Sequence, residues 1–115
     1  MLKKNLRLRG KKDFNRVFRY SKPIFFDEIG CRYLINQTSL HLGFTFNKKY
    51  LPLAAQRNRL RRVLSEAFFQ LKDEWPKNMD IIFFTTKKPK KINTQESLPM
   101  IKHFLRRIKE NIKTL

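Results

Sequence analysis

Glycine, cysteine and acidic residues are scarce in this chain of 115 residues. With only three glycines, it has no glycine-rich loop of the kind that cradles a nucleotide phosphate. The single cysteine, Cys31, has no cysteine partner for a disulfide or a zinc site, and we predict that it is buried in a strand. No apolar run has the length of a signal-peptide core or a membrane span, which predicts a soluble cytoplasmic protein without a membrane partner.

The nine acidic residues are too scattered to suggest that the protein itself performs catalysis. No pair of carboxylates has the spacing of a hydrolase or of a metal clamp. His41 and His103 have no acidic neighbour along the chain to orient them, so we interpret both as surface or packing residues. We therefore expect no catalytic residue in the protein and no metal held directly by it.

Positive charge, in contrast, is abundant. Lys and Arg number 27 against nine acids, which gives a formal net charge of +18. A short chain with this charge repels itself, and a polyanion is its natural partner. Because the basic residues are spread along the chain and no lipidation signal is present, nucleic acid is favoured over a membrane surface. The length predicts a single domain over residues 1–115, in which residues 1–10 form a flexible basic arm.

The hydrophobic periodicity predicts three helices and four strands in the order αβββαβα. The predicted elements are a helix over 11–21, strands over 23–26, 29–36 and 41–46, a helix over 54–74, a strand over 80–86 and a helix from 94. A short polar connection predicts that the second and third strands pair as an antiparallel hairpin. A helix between the third and fourth strands predicts a parallel pair. The pattern thus predicts an α/β (α+β) fold with a four-stranded mixed sheet and a βαβ crossover.

The helix predicted from Ala54 carries the most informative pattern of the chain. Its apolar arc comprises Leu60, Val63, Leu64, Ala67, Phe68 and Leu71. Its basic arc comprises Arg57, Asn58, Arg61 and Arg62, with Arg59 at the far edge. Like charges at i,i+4 repel, and only Glu66 is near enough to relieve them, so the cluster favours an anionic partner over an ordinary solvated face. The planar guanidinium fork matches phosphate oxygens.

Two further groups of residues are candidates for contacts with nucleic acid. Phe14 and Phe18 lie one helical turn apart and are either core residues or platforms for unstacked bases. Arg32 and Tyr33 alternate on the second strand, so one of them faces any cleft beside the first helix. Lys48 and Lys49 precede the basic helix and are placed to add phosphate contacts.

Together these residues resemble the protein subunit of bacterial ribonuclease P. The similarity is carried by LGFTFNKK at 42–49, by AAQRNRLRR at 54–62 and by Glu66-Ala67-Phe68, and KDFNRVF at 12–18 resembles the first helix of the family. The chain departs from the family pattern at three places. Asn47 replaces the usual serine, Pro52-Leu53 stand in a spacer that is often basic, and Ser65 stands where the family usually has arginine.

The resemblance implies a small α/β sandwich with a left-handed βαβ crossover, a hand that the general rule for crossovers would not predict. It also implies Mg²⁺-dependent endonucleolytic removal of the 5′ leader from precursor tRNA. In this family the RNA subunit performs the catalysis and holds most of the Mg²⁺, while the protein binds the RNA subunit and the leader. The implied partners are ribonuclease P RNA and precursor tRNA, with no stable protein partner.

By resemblance, two groups of residues bind RNA. The residues expected to contact the RNA subunit are Lys48, Lys49, Arg57, Asn58, Arg59, Arg61 and Arg62. The leader is expected in a cleft between the first helix and the sheet, formed by Phe14, Phe18 and Tyr33, or Arg32 if the strand register shifts by one. The alternative is a structural RNA-binding protein such as a small ribosomal protein, which composition and charge do not separate but which has no need of the 42–68 pattern.

Overall fold

The computed structural model describes residues 4–90 and 92–113. Its elements are α1 (Gly10–Tyr20), β1 (Ile24–Phe26), β2 (Ile29–Ile35), β3 (His41–Thr45), α2 (Ala54–Gln70), β4 (Met79–Thr85) and α3 (Thr94–Lys113). Single 3-10 turns stand at Lys4–Leu6 and Lys72–Glu74. The order αβββαβα is confirmed, and the helix predicted over 54–74 ends at Gln70. No helix within the described ranges is long and apolar enough to cross a membrane.

The four strands form one mixed sheet in the order β1-β2-β4-β3. The strand β3 pairs in parallel with β4, which confirms the crossover through α2, and β2 pairs antiparallel with both β1 and β4. The predicted hairpin between the second and third strands is wrong, because β4 lies between them. Since β4 is the most completely buried strand, it takes the centre of the sheet. The connection over residues 36–40 has to cross only about 10 Å, or two strand spacings.

Strand alternation gives the sheet two differently covered faces. One face carries the main core, in which Phe83 contacts Phe68 of α2 and Phe104 of α3. The other face carries α1, where Val17 packs with Leu8 and Ile82 in a smaller cluster. The apolar arc of α2 is buried as predicted from Leu60 to Phe68, and Cys31 is buried in β2 as predicted.

The basic arm predicted over residues 1–10 is only partly within the described residues, and residues 1–3 lie outside them. In the described part of the arm, Arg7 and Leu8 pack against the sheet. Arg7 forms a parallel bridge with Leu42, and the Leu8 amide donates a hydrogen bond to the Leu42 carbonyl at 3.0 Å. Leu8 is buried in the α1 cluster. This packing places Arg7 along the outer edge of β3, because the chain there adds a short stretch of backbone pairing.

Candidate nucleic-acid interface

A cleft of about 590 Å³, called here the first cleft, lies beside β3. Its walls come from three parts of the chain: the N-terminal segment, α1 and the basic arc of α2. The lining residues are Arg7, Leu8, Phe14, Leu42, Gly43, Phe44, Asn58, Arg61, Arg62 and Ser65. The cleft therefore brings an aromatic ring predicted for the leader together with three α2 residues predicted for the RNA subunit.

The α2 wall of the first cleft presents Asn58, Arg61 and Arg62, all of them exposed. A guanidinium nitrogen of Arg61 donates to Oδ1 of Asn58 at 2.7 Å. The Arg61 guanidinium carbon also lies 5.9 Å from the centroid of the Phe46 ring, at the outer limit of a cation–π contact. These contacts restrain Arg61 beside the cleft, while Arg62 extends from the same turn.

The other predicted basic residues do not line the first cleft. Arg57 donates to the carbonyls of Leu51 and Pro52 at 2.8 and 3.1 Å, so it fixes the chain that enters α2. Arg59 donates to the Ile92 carbonyl at 3.3 Å, on the side of α2 that faces the start of α3. Sequence reasoning missed both roles, because the acceptors are backbone carbonyls that no side-chain pattern reveals.

Lys48 and Lys49 lie in an exposed turn between β3 and α2. The backbone N–H of Lys49 donates to Oδ1 of Asn47 at 2.8 Å, and the backbone N–H of Asn47 donates to Oγ1 of Thr85 at 2.9 Å. Asn47, which replaces the usual serine, thus keeps an oxygen acceptor that shapes this turn. The two lysines are held at the surface outside the first cleft.

The aromatic wall of the first cleft is Phe14, which is half-buried against the α1 cluster. Gly43 of β3 makes room for this ring, since a Cβ atom at position 43 would lie 2.7 Å from Cζ of Phe14. Phe14 therefore acts as a packing residue on one side and faces the cleft on the other. The packing side agrees with the interpretation of Phe14 as a core residue, and the role as a platform for bases stays a prediction.

Phe18 and Arg32 form a separate pair near the end of α1. The Arg32 guanidinium carbon lies 5.2 Å from the Phe18 ring centroid, and the same group donates to the Ser21 carbonyl at 2.6 Å. Phe18 remains 36% exposed. The expectation that Tyr33 lies beside α1 is wrong: Tyr33 packs against the main core on the opposite face, and Arg32 takes the place beside α1. The register that pairs Tyr33 with Ile81 fixes this orientation.

His41 has an acidic partner that the sequence did not reveal. Its Nδ1 lies 2.9 Å from Oδ1 of Asp80, a carboxylate that is only 1% exposed. The pairing follows from the parallel register of β3 and β4, which sets these two residues opposite each other. His103 is a packing residue as predicted, with its ring centroid 5.0 Å from that of Phe26.

The titratable groups offer little for covalent or metal chemistry. Burial raises the pKa of the Cys31 thiol far above its ordinary value, because the thiolate would lose its hydration. Within residues 4–90 and 92–113, no group of three or more His, Cys, Asp or Glu side chains is arranged to hold a metal ion. The arrangement is suited to binding an extended anion through arginine and to stacking on an aromatic ring.

Known proteins show the same combination of sequence and fold. A family model described as ribonuclease P matches residues 2–109. The chain is 30% identical over 105 residues to the ribonuclease P protein component of Pelotomaculum thermopropionicum, covering 90% of this chain and 93% of that relative. It is 31% identical over 81 residues to the corresponding protein of Coprothermobacter proteolyticus, covering 70% of this chain and 66% of that relative. A ribonuclease P protein from Thermotoga maritima matches the fold with a TM-score of 0.77 and 25% identity, over 88% of this chain and 96% of that one.

Proposed function

Because the chain belongs to the ribonuclease P protein family, we propose that it binds the ribonuclease P RNA and the 5′ leader of precursor tRNA in the cytoplasm. In this role it assists the endonucleolytic hydrolysis that produces the mature tRNA 5′ end. The catalytic groups belong to the RNA subunit, and the protein contributes binding and positioning, with no stable protein partner.

The observation that carries the proposal is the composition of the first cleft. Arg61 and Arg62 on one wall supply charge for phosphates, and Phe14 on another supplies a ring face for a base. Proteins that bind single-stranded nucleic acid combine these same two elements, a basic groove and aromatic stacking platforms. A single-stranded leader fits this arrangement, because its bases are free to unstack. Asn58, at the same wall, adds a donor and an acceptor for a sugar or a base edge.

Contacts with the RNA subunit would use the exposed surface around α2. Lys48 and Lys49 precede the helix, and Arg57 and Arg59 lie along it. The hydrogen bonds of Arg57 and Arg59 to carbonyls use only part of the donors that each guanidinium carries. The remaining donors can reach phosphate, so these residues would combine a structural role with RNA binding. Phe18 and Arg32 would extend the leader surface along α1.

The Mg²⁺ that the family implies does not fit this chain's own side chains. Mg²⁺ prefers carboxylate and other oxygen ligands in octahedral geometry, and the described residues offer no such cluster. We therefore propose that the RNA subunit and substrate phosphates hold the Mg²⁺. The protein's arginines would lower the repulsion between the phosphates of the two RNAs, so that less Mg²⁺ is needed for them to associate.

Reconstitution tests this proposal directly. The protein is combined with a bacterial ribonuclease P RNA at low Mg²⁺, and leader removal from precursor tRNA is followed. Leader removal should be faster than with the RNA alone, and a basic peptide of equal charge should not reproduce the effect, because it lacks the cleft. A rate equal to that of the RNA alone, or one matched by the peptide, would contradict the proposal.

A further inference from the structure

A second cleft of about 500 Å³ lies on the other side of the N-terminal segment. It shares Arg7 and Leu8 with the first cleft, so this segment forms a low wall between the two. The rest of its lining comes from the N-terminal segment, from α1, from the connection between β2 and β3, and from the first residues of β3 and β4.

The floor of the second cleft is the carboxylate of Asp80, which is almost fully buried. Arg16 donates to its Oδ2 at 2.9 Å, and Asn36 and His41 approach its Oδ1 at 2.8 and 2.9 Å. The positive charge of Arg16 balances the negative charge of Asp80. Nη2 of Arg16 is also 3.5 Å from Oδ1 of Asp13 at the rim. Because Asp80 is paired with Arg16, the pair carries no net charge and repels an incoming anion much less than an unpaired carboxylate would.

The rim is held in place by the same network. The Asn36 amide group also donates to the Ser39 carbonyl at 2.8 Å, and its Oδ1 accepts the Thr38 backbone N–H at 2.9 Å. This Asx turn fixes the Thr38 and Ser39 hydroxyls at the mouth of the cleft. On the opposite rim stand Asn5 and Arg7, whose side chains are exposed. Asn36 uses both of its amide hydrogens within the protein, so the donors left for a ligand are the rim hydroxyls, the Asn5 amide and Arg7.

From this geometry we infer that the second cleft binds a phosphodiester of the same RNA strand that enters the first cleft. The strand passes over Arg7, the residue common to both clefts. Hydroxyl, amide and guanidinium donors match phosphate and ribose oxygens, and the net charge of +18 attracts the strand. No Phe, Tyr or Trp lines the second cleft, and the His41 ring is paired with Asp80, so the cleft contacts the backbone rather than stacking bases. This inference rests on the proposed function, since it extends the path of the same strand.

The test compares Thr38→Glu with the matched control Gln37→Glu, using single-stranded RNAs of about four and about twelve nucleotides. Both residues are exposed in one loop, but only Thr38 lines the cleft. Thr38→Glu should weaken binding of the longer RNA about fivefold, the effect of one like-charge pair near 4 Å in water. It should leave the shorter RNA unaffected, and Gln37→Glu should bind both RNAs like the wild type. Asn5→Glu on the opposite rim should repeat the result if Thr38→Glu disturbs folding.

Two outcomes would overturn the inference. One is an equal loss with Thr38→Glu and Gln37→Glu, or a loss that is independent of RNA length. The other is that the wild type binds inorganic phosphate while the effect of Thr38→Glu on RNA binding does not depend on RNA length. That result would assign the cleft to a free ion. Leader removal by the reconstituted wild type tests the proposed function separately. If it is stimulated while the length dependence is absent, the inference alone fails.

Discussion

Arg62→Ala should separate RNA binding from folding. Arg62 is exposed on the wall of the first cleft. Among residues 4–90 and 92–113, no group accepts a hydrogen bond from its side chain, so removing the side chain breaks no intramolecular contact of that kind. Exposed substitutions of this sort change the free energy of unfolding by no more than about 0.5 kcal/mol. Urea unfolding should therefore give the same midpoint for variant and wild type.

The loss of binding should depend on salt in a calculable way. One lost phosphate contact lowers the slope of log K against log salt by about 0.7 to 0.9. Between 50 and 200 mM salt, a fourfold range, the affinity ratio of wild type to variant should shrink about threefold. The measurement is a salt series of binding to ribonuclease P RNA, monitored by fluorescence anisotropy.

Two other arginine substitutions serve as comparisons for Arg62→Ala, one for the effect on folding and one for the loss of charge. Arg57→Ala removes hydrogen bonds to the Leu51 and Pro52 carbonyls and should cost about 1–2 kcal/mol of unfolding free energy. Arg107→Ala removes the same charge from an exposed position of α3 outside the first cleft and should leave the salt slope unchanged. An unchanged slope with Arg62→Ala, or an equal change with Arg107→Ala, would refute a direct phosphate contact at the α2 wall.

Three further predictions concern the core and the two clefts. Phe14→Leu keeps apolar packing but removes the ring face, so binding of leader-bearing precursor tRNA should weaken by about 1–3 kcal/mol while mature tRNA is unaffected; equal losses would indicate a packing role alone. Asp80→Asn should lower the unfolding free energy by about 1–2 kcal/mol in urea titration, because it weakens the charge-assisted hydrogen bond to the half-exposed Arg16. Cys31 should resist alkylation in the native protein and react after unfolding. Because burial raises its pKa in the folded state, its contribution to stability should be complete below about pH 8.5 and decline at higher pH, as urea titrations across that range can measure.

The local elements of the fold were predictable, and one strand pairing was not. Helical periodicity identified α1, α2 and α3 because each buries one face, and the crossover followed from the helix between β3 and β4. The hairpin prediction failed because proximity along the chain was taken as pairing. Insertion of β4 between β2 and β3 depends on contacts between residues 39 to 56 positions apart, for which a short polar loop gives no signal.

In the candidate site too, the grouping of residues within one helix was predicted, whereas a contact between residues distant in the sequence was not. The basic arc of α2 lies within one helix, so its residues could be grouped from spacing alone. The pairing of His41 with Asp80 spans 39 positions and depends on the register of two parallel strands. A usable signal existed, because both residues stand at the start of predicted strands that were themselves predicted to be parallel. Aligning the starts of those strands would have placed the two side chains opposite each other.

Ser65 affects both the charge and the free space of the first cleft, because its side chain lies at the cleft wall. Its side chain is buried at the cleft wall, and its hydroxyl donates to the Arg61 carbonyl at 2.7 Å. An arginine at this position, usual in the family pattern, would project a long cationic side chain from the turn that carries Arg61 and Arg62. With serine, this chain has one charge fewer beside the strand but more space in front of Phe14. Under the proposed function, the difference would favour base stacking over phosphate contact at this end of the cleft, because a stacked base needs room whereas charge remains available from the two arginines nearby.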